Sequence, residues 1–253
     1  MACITDLIGI IYRTTVMATT ELLTTEDQIR SELLQIERAI NDNTYKPGRW
    51  QRLLKSLYVL DRTLLRNLKP NISHVSNRLH SRNNFLTFSF LPIYLGELVL
   101  CGLAVNLSQS TNLIERIIAT ALFALTLQPL LKITTGIAIG VRYSYAYLWY
   151  VEPRFKMQYG DYVSRQPWQR MLLHLMGSLG TPIAMYIGIN LLSDNDILSF
   201  LCVVGFVAVT LMQIGALVAA LLGVRKVGGF VLHQLTTPAM LGVEIKTSLA
   251  NRK

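Results

Sequence analysis

Charged side chains are scarce in this chain of 253 residues: Asp, Glu, Lys and Arg make up 15% of it, whereas a soluble domain has roughly 25%. Apolar residues make up 51%. The 24 Lys and Arg outnumber the 15 Asp and Glu, which leaves a net charge of +9. The first 83 residues hold 12 basic and 8 acidic side chains, and the longer remainder holds 12 and 7. Such a charge-poor chain indicates membrane embedding and argues against a soluble nucleic-acid-binding protein.

Disulfide, signal-peptide and catalytic motifs are also lacking. The three cysteines, Cys3, Cys101 and Cys202, are too few and too dispersed for a disulfide framework, and there is no C-x-x-C. The apolar run at the N-terminus has no basic region before it and does not predict a cleaved signal. The chain contains no H-E-x-x-H, G-x-S-x-G, Walker or G-x-G-x-x-G motif. His74 and His80 lack neighbouring Cys or carboxylates, so we expect no metal site and no cofactor.

Four long apolar stretches predict membrane-spanning helices. They cover about residues 85–107, 117–141, 171–192 and 198–224. Each has the roughly 20 predominantly apolar residues that crossing the hydrocarbon core requires. We therefore expect an all-α integral membrane protein, a four-span transmembrane helix bundle over residues 84–226. Small residues at helical intervals, as at Gly136 with Gly140 and Gly215 with Ala219, predict close helix contacts.

The positions of Lys and Arg predict the orientation of these spans, because basic flanks favour the cytoplasmic side of a membrane. Basic residues precede the first span, recur through the connection 142–170 and follow the fourth span at Arg225 and Lys226. The other two connections contain NLSQSTN, which has no charge, and SDND, which is acidic. An even number of spans with both termini on the cytoplasmic side satisfies all these flanks.

The polar region 1–83 predicts two amphipathic helices, at about 25–42 and 48–69, separated by the stretch NDNTYKPG. Each carries one stripe of apolar residues at helical spacing. The stripes consist of Ile29, Leu33, Ile36 and Ile40 on the first helix, and Leu53, Leu57, Leu60, Leu64 and Leu68 on the second. We expect a cytoplasmic helical hairpin, followed by a polar linker after Pro70. Its stripes either pack only on each other or also contact a protein partner.

Two ionisable residues within the predicted spans, Glu97 and Lys132, are candidates for function because charge inside a bilayer is costly. Glu97 lies about 12 residues, or roughly 18 Å, from the cytoplasmic end of its span, and Lys132 about 9 residues, or roughly 14 Å. The two could therefore pair. Gln128, Thr181 and Gln213 lie at similar depths. These groups either hold the helices together, with Lys132 reaching the interface, or form a proton- or ion-responsive site.

The connection 142–170 interleaves aromatic and basic residues. Such rings suit the headgroup layer, so we expect a re-entrant or surface-lying element that fixes the height of the bundle. Its ionisable residues and a neighbouring histidine are candidates for binding an anionic lipid or an acidic partner surface, or for headgroup chemistry. The tail 227–253, interrupted by Gly228, Gly229 and Pro238, is expected to lie on the membrane surface. The candidate binding residues in and next to the connection 142–170 are Arg142, Glu152, Arg154, Lys156, Asp161, Arg165, Arg170 and His174.

These features favour a multi-pass membrane protein without enzymatic activity, an accessory, scaffold or assembly factor that docks partners through its hairpin and basic connection. A small transporter or ion pathway that uses the mid-membrane polar residues is the first alternative. A membrane enzyme that modifies lipids is the second. The expected partners are the lipid bilayer, with anionic lipids, and a protein partner or a second copy of the chain, but not nucleic acid.

Overall fold

The computed structural model describes residues 23–46, 48–149, 152–224, 226–227, 230–231 and 237–250. The predictions that concern Cys3 and the N-terminal apolar run lie outside the described residues, as do Arg225, Gly228 and Gly229. The chain divides into two compact units, Met1–Leu64 and Leu65–Lys253.

The first unit contains two amphipathic helices, α1 (Glu26–Asn41) and α2 (Gly48–Val59). Thr25 caps α1, because its hydroxyl accepts from the backbone N–H of Gln28 while the Gln28 side chain accepts from the Thr25 backbone N–H. The buried residues of α1 are the four of the predicted stripe, and Leu53 and Leu57 are buried on α2.

Helix α3 (Arg62–Ser81) departs from the predicted arrangement. The helix expected over 48–69 is divided at Leu60 and Asp61, because the Asp61 carboxylate accepts from the Thr63 backbone N–H at 2.7 Å and starts a new helix. Pro70 lies inside α3, and the segment expected to be a linker is helical as far as Ser81. The buried face continues beyond the proline and offsets its missing hydrogen bond. That face comprises Leu65, Leu68, Ile72 and Val75.

Four helices of the second unit are long and apolar enough to cross a membrane, which makes the chain a multi-pass integral membrane protein. They are α4 (Phe90–Ser108), α5 (Leu113–Ala138), α7 (Pro167–Leu191) and α8 (Asp196–Leu222). Each of the four predicted spans thus coincides with a helix long and apolar enough to cross a membrane, with ends that differ by a few residues.

The spans pack in sequence order: α5 contacts α4 and α7, and α7 contacts α8. A small core of Ala104, Phe123 and Ala184 joins α4, α5 and α7. Large apolar side chains on the outer faces are exposed, as facing lipid requires. Among them are Leu91, Val99, Leu125, Leu211 and Leu222.

The fold is mostly helical, as expected of an all-α membrane bundle, but the connection 142–170 contributes two strands to a three-stranded antiparallel sheet. Its strands are β1 (Thr87–Phe88), β2 (Tyr143–Trp149) and β3 (Glu152–Met157), with β2 in the centre. The β2 sequence alternates aromatic and other residues with a period of two, which is the spacing of a strand. The short helix α6 (Tyr159–Val163) then leads to α7.

The described part of the C-terminal segment packs against the bundle. Two short strands, β4 (Lys226–Val227) and β5 (Phe230–Val231), precede helix α9 (Thr237–Ala250). Helix α9 packs against α7 and α8. Its Gly242 makes this close approach possible, since a Cβ there would lie 2.8 Å from the Cβ of Ala220. Glu244 is fully buried as a result.

Candidate functional site

Four polar side chains form a buried network where α6, the first turns of α7 and α9 meet. Arg170 and His174 lie one turn apart on α7, Tyr162 lies on α6, and Glu244 lies on α9. None of the four exposes more than 5% of its surface. Buried polar groups of this kind need partners, and most of theirs lie within the network.

The Glu244 carboxylate is the centre of this network. The Nε of Arg170 donates to its Oε2 at 2.8 Å, and the Tyr162 hydroxyl donates to its Oε1. The Arg170 Nη1 donates to the backbone carbonyls of Arg165 at 2.8 Å and Val163 at 3.3 Å. The ion pair therefore fastens α9 to α7, and the same guanidinium fixes the chain between α6 and α7.

Tyr162 connects Glu244 with His174, whose Nε2 lies 2.8 Å from the Tyr162 hydroxyl. Burial, and next the negative charge of Glu244, raise the pKa of Tyr162 far above its usual range, so the hydroxyl keeps its proton. Because that proton points to Glu244, the hydroxyl accepts from Nε2 of His174. The Nδ1 of His174 is buried without a hydrogen-bond partner among the described residues.

Asp161, adjacent to Tyr162, forms a second ion cluster. Its Oδ2 lies 2.8 Å from Nε of Arg142, and its Oδ1 lies 3.7 Å from Nζ of Lys69 on α3. Burial by itself raises the pKa of Asp161, but the hydrogen bonds and charge of Arg142, together with Lys69, bring that pKa below its usual value. The carboxylate thus stays ionised and links α3, the start of the sheet region and α6.

The other predicted residues of the connection also contact the protein itself. Lys156 donates to the Ser76 hydroxyl at 2.7 Å, and burial lowers the pKa of Lys156 to about 8. Arg154 stacks on the Trp149 ring at 3.6 Å, and Arg165 donates to the Gly140 carbonyl. Glu152 is the first residue of β3.

The predicted mid-membrane polar residues do not form one cluster. Thr181 on α7 donates to Gln128 on α5 at 2.8 Å, and Lys132 packs its methylene groups near Gly177. Glu97 is buried on α4 but makes no hydrogen bond or ion pair with a described residue. Gln213 is half-buried and likewise bonds to none of the described side chains or backbone groups.

Two members of the buried network, Tyr162 and Glu244, are missing from the predicted site. Glu244 is the one acid in α9, so the reasoning applied to Glu97, that a lone acid in an apolar helix needs a partner, would have indicated it. Tyr162 has no comparable signal, because it is one of many aromatic residues in the same stretch.

An open groove of about 610 Å³ lies between α3 and the sheet, away from the buried network. It is lined by His74, Asn77, Arg78, Ser81, Thr87, Phe88, Ser89, Ser144 and Tyr145. Within the described part of the chain, no three His, Cys, Asp or Glu side chains come together as a metal site requires.

Comparison with known proteins gives no match: no protein-family model, no curated protein and no solved structure resembles this chain. Its function therefore has to be inferred from the geometry.

Proposed function

We propose that this protein is a non-enzymatic membrane scaffold or assembly factor that holds a protein partner through its first unit. The observation that carries the proposal concerns the ionisable groups of the connection 142–170. Its Arg170 and Asp161 are buried in ion pairs within the chain. A catalytic acid or base must reach its substrate. Groups buried in ion pairs do not, and they stabilise a rigid framework instead.

Two features of the first unit support a docking role. Its stripe of apolar residues is buried, and its outer face presents both apolar and charged side chains. Helices α1 and α2 are joined by an ion pair between Arg49 Nε and Glu32 Oε1 at 2.6 Å. Leu34 is exposed on α1, and Arg38 lies one turn further on the same exposed face. An exposed leucine beside a cation offers a partner both apolar contact and charge.

The proposal is tested with the full-length chain in its native membrane. Cross-linking before mild detergent purification, followed by quantitative mass spectrometry, should recover one partner at a constant molar ratio. Combining Leu34→Lys with Arg38→Glu should lower that recovery about fivefold or more, since removing a central contact costs over about 1 kcal/mol.

The matched control is Leu249→Lys, which changes an exposed leucine of the second unit. It should leave partner recovery unchanged. The scaffold proposal fails if no partner appears at constant ratio, or if the control lowers recovery as much as the α1 variant does.

A proton or ion pathway is the second candidate, favoured by Glu97, a buried carboxyl on α4 that bonds to no described residue. A carboxyl inside a bilayer is costly and is therefore a candidate for a functional site. The full-length protein in vesicles should then show pH-driven flux by itself, and Glu97→Gln should abolish it. Absence of flux in the unaltered protein would rule this pathway out.

A further inference from the structure

Helix α4 lies at the edge of the bundle and buries little of its surface. It packs against α5 and strand β2, and 11% of its 18-residue apolar stretch is buried, compared with 33% in α5 and 39% in α7. Leu91, Val99 and Leu103 are among its exposed side chains. Much of this helix therefore faces either lipid or another membrane helix.

Glu97 interrupts this apolar helix with a carboxyl group that lacks a donor. Its side chain is 7% exposed, yet it makes no hydrogen bond or ion pair with any described residue. Its oxygens are not among the fully enclosed polar atoms of the described chain, so an incoming group can reach them. Since a carboxyl group at this position needs a partner, we look for one outside the described chain.

The side chains next to Glu97 on the same face of α4 contact other groups. One turn before it, the Tyr94 hydroxyl lies 3.3 Å from the Thr134 hydroxyl of α5. One turn after it, Cys101 packs against the apolar core that joins α4, α5 and α7. Glu97 thus lies between a bonded tyrosine and an apolar core.

The depth of Glu97 indicates what kind of group could pair with it. Helix α4 begins at Phe90, which places Glu97 about 10 Å along the helix. Lipid headgroups lie outside the hydrocarbon core, whereas side chains of a spanning helix occur at this level. Carboxylates inside a bilayer commonly pair with Lys or Arg. The fitting partner is a basic side chain on a spanning helix.

A second copy of this chain does not present such a side chain on the outside of its described spans. Arg116 pairs with Asp194 at the far end of α5, and Arg170 is buried in its ion pair. Lys132 packs its methylene groups against α7. These three are the Lys and Arg of the four described spans. The basic side chain therefore belongs to a different membrane protein.

One side of Glu97 is open to an approaching helix. Gly96 is exposed, and a Cβ there would meet no atom within 4 Å. Leu100, one turn further along on the same side, is 41% exposed. Small residues at a helix surface let two membrane helices approach closely. A helix that contacts Gly96 and Leu100 would pass beside the Glu97 carboxylate.

We propose that α4 binds, inside the bilayer, a spanning helix of another membrane protein that carries one Lys or Arg, and that Glu97 is the ionic partner of this residue. The site goes beyond the proposed scaffold role, because it lies in the second unit and stands whether or not the first unit holds a partner. It is an alternative to the proton pathway, since a carboxylate held by a fixed cation does not carry protons.

The experiment measures binding of synthetic spanning peptides to the full-length protein in dioleoylphosphatidylcholine vesicles by fluorescence energy transfer. The two probes are leucine- and alanine-rich helices of about 21 residues, with either lysine or norleucine at the centre. The long lysine side chain reaches the level of Glu97 whichever way the peptide inserts. The lysine peptide should bind about fivefold more tightly, as one interhelical polar contact predicts.

Two variants test the contact. Glu97→Leu should abolish the preference for lysine, and it should leave the fold intact because Glu97 bonds to no described residue. Gly96→Leu fills open space on the protein and should weaken binding of the lysine peptide about fivefold, since the helices can no longer approach. Thermal unfolding in detergent checks that both variants are folded.

The matched control is Glu115→Leu, which removes an acid from the first turn of α5 and should preserve the preference. Equal binding of the two peptides to the unaltered protein would overturn the site, as would a preference that persists in Glu97→Leu. Equal losses in Glu97→Leu and Glu115→Leu would show diffuse attraction and overturn it too. Unchanged binding in Gly96→Leu would overturn the side of contact. A pH-driven flux of the protein alone that Glu97→Gln abolishes would assign Glu97 to a pathway instead.

Discussion

The ion pair between Arg170 and Glu244 shows how a fully buried charge is made tolerable in this protein. Removing two such charges from water costs several kcal/mol each. Here both Glu244 oxygens accept hydrogen bonds, and Arg170 also donates to two backbone carbonyls. The pair is therefore stable only as a unit, and loss of one member leaves the other charge buried without compensation.

Glu244→Gln is accordingly expected to be strongly destabilising. It should lower the free energy of unfolding by about 3–5 kcal/mol, because Arg170 keeps its buried charge. The double variant Arg170→Met with Glu244→Leu should regain most of that stability, since no charge remains. Unfolding in detergent, followed by circular dichroism, measures both effects.

The control for this pair is Asp42→Asn, which changes an exposed acid of the first unit and should alter stability by less than about 0.5 kcal/mol. If the double variant unfolds as readily as Glu244→Gln, the uncompensated charge is not the cause of the loss.

Among the elements, the spanning helices could be predicted from sequence and the sheet could not. An apolar run long enough to cross a bilayer has few alternative explanations, so composition alone located all four spans. The rings and cations of this stretch predict an interfacial belt and conceal strand β2, although Tyr143, Tyr145 and Tyr147 alternate as strand residues do. Pro153 also suggested a break, but β3 pairs only with β2 in the described sheet, and an edge strand tolerates proline.

The candidate site was predicted in part, and the missing part has a physical reason. The sequence indicated Asp161, Arg170 and His174, whose residue types and proximity along the chain were visible. Their partner Glu244 lies 74 residues from Arg170 in sequence. Periodicity within α9 describes one helix and carries no information about the helix against which it packs.

Helices α5 and α7 approach so closely that a glycine is required between them. A Cβ added at Gly180 would lie 2.3 Å from the Cα of Gln128, which is backbone and cannot rotate away. Gly180→Ala should therefore force the helices apart and lower the free energy of unfolding by about 1–3 kcal/mol. Thermal unfolding in detergent measures this loss.

Gly215→Ala on α8 is the matched control, because a Cβ there meets no atom within 4 Å. It should leave stability unchanged or raise it by up to about 1 kcal/mol, since alanine favours the helix. The close contact predicted at Gly215 is therefore not made with a described residue of this chain, and a contact with a second copy there stays a prediction. Equal losses in the two variants would show that helix spacing does not explain the effect of Gly180→Ala.

For the whole molecule, the two ends of the bundle differ in chemistry. At one end, the connection from α4 to α5 and that from α7 to α8 are short, and Arg116 Nη2 pairs there with Asp194 Oδ2 at 2.6 Å. The opposite end carries the sheet and most of the described basic residues of the second unit. Many of those residues are paired inside the fold, yet the rule that places basic flanks in the cytoplasm counts residues rather than free charges. The basic residues behind the net charge of +9 can thus pair inside the fold and still orient the chain in the membrane.

This asymmetry predicts that the sheet end is cytoplasmic and that the short connections face outward. In a chain without its native cysteines, Thr111→Cys and Ser193→Cys, each at an exposed position in a short connection, should react with a membrane-impermeant maleimide in intact cells. Asn83→Cys, exposed just before α4, should react only after permeabilisation. The cysteine-free chain controls for background labelling. Labelling of Asn83→Cys in intact cells, with Thr111→Cys protected, would reverse the orientation and show that the basic residues of the sheet end serve the fold alone.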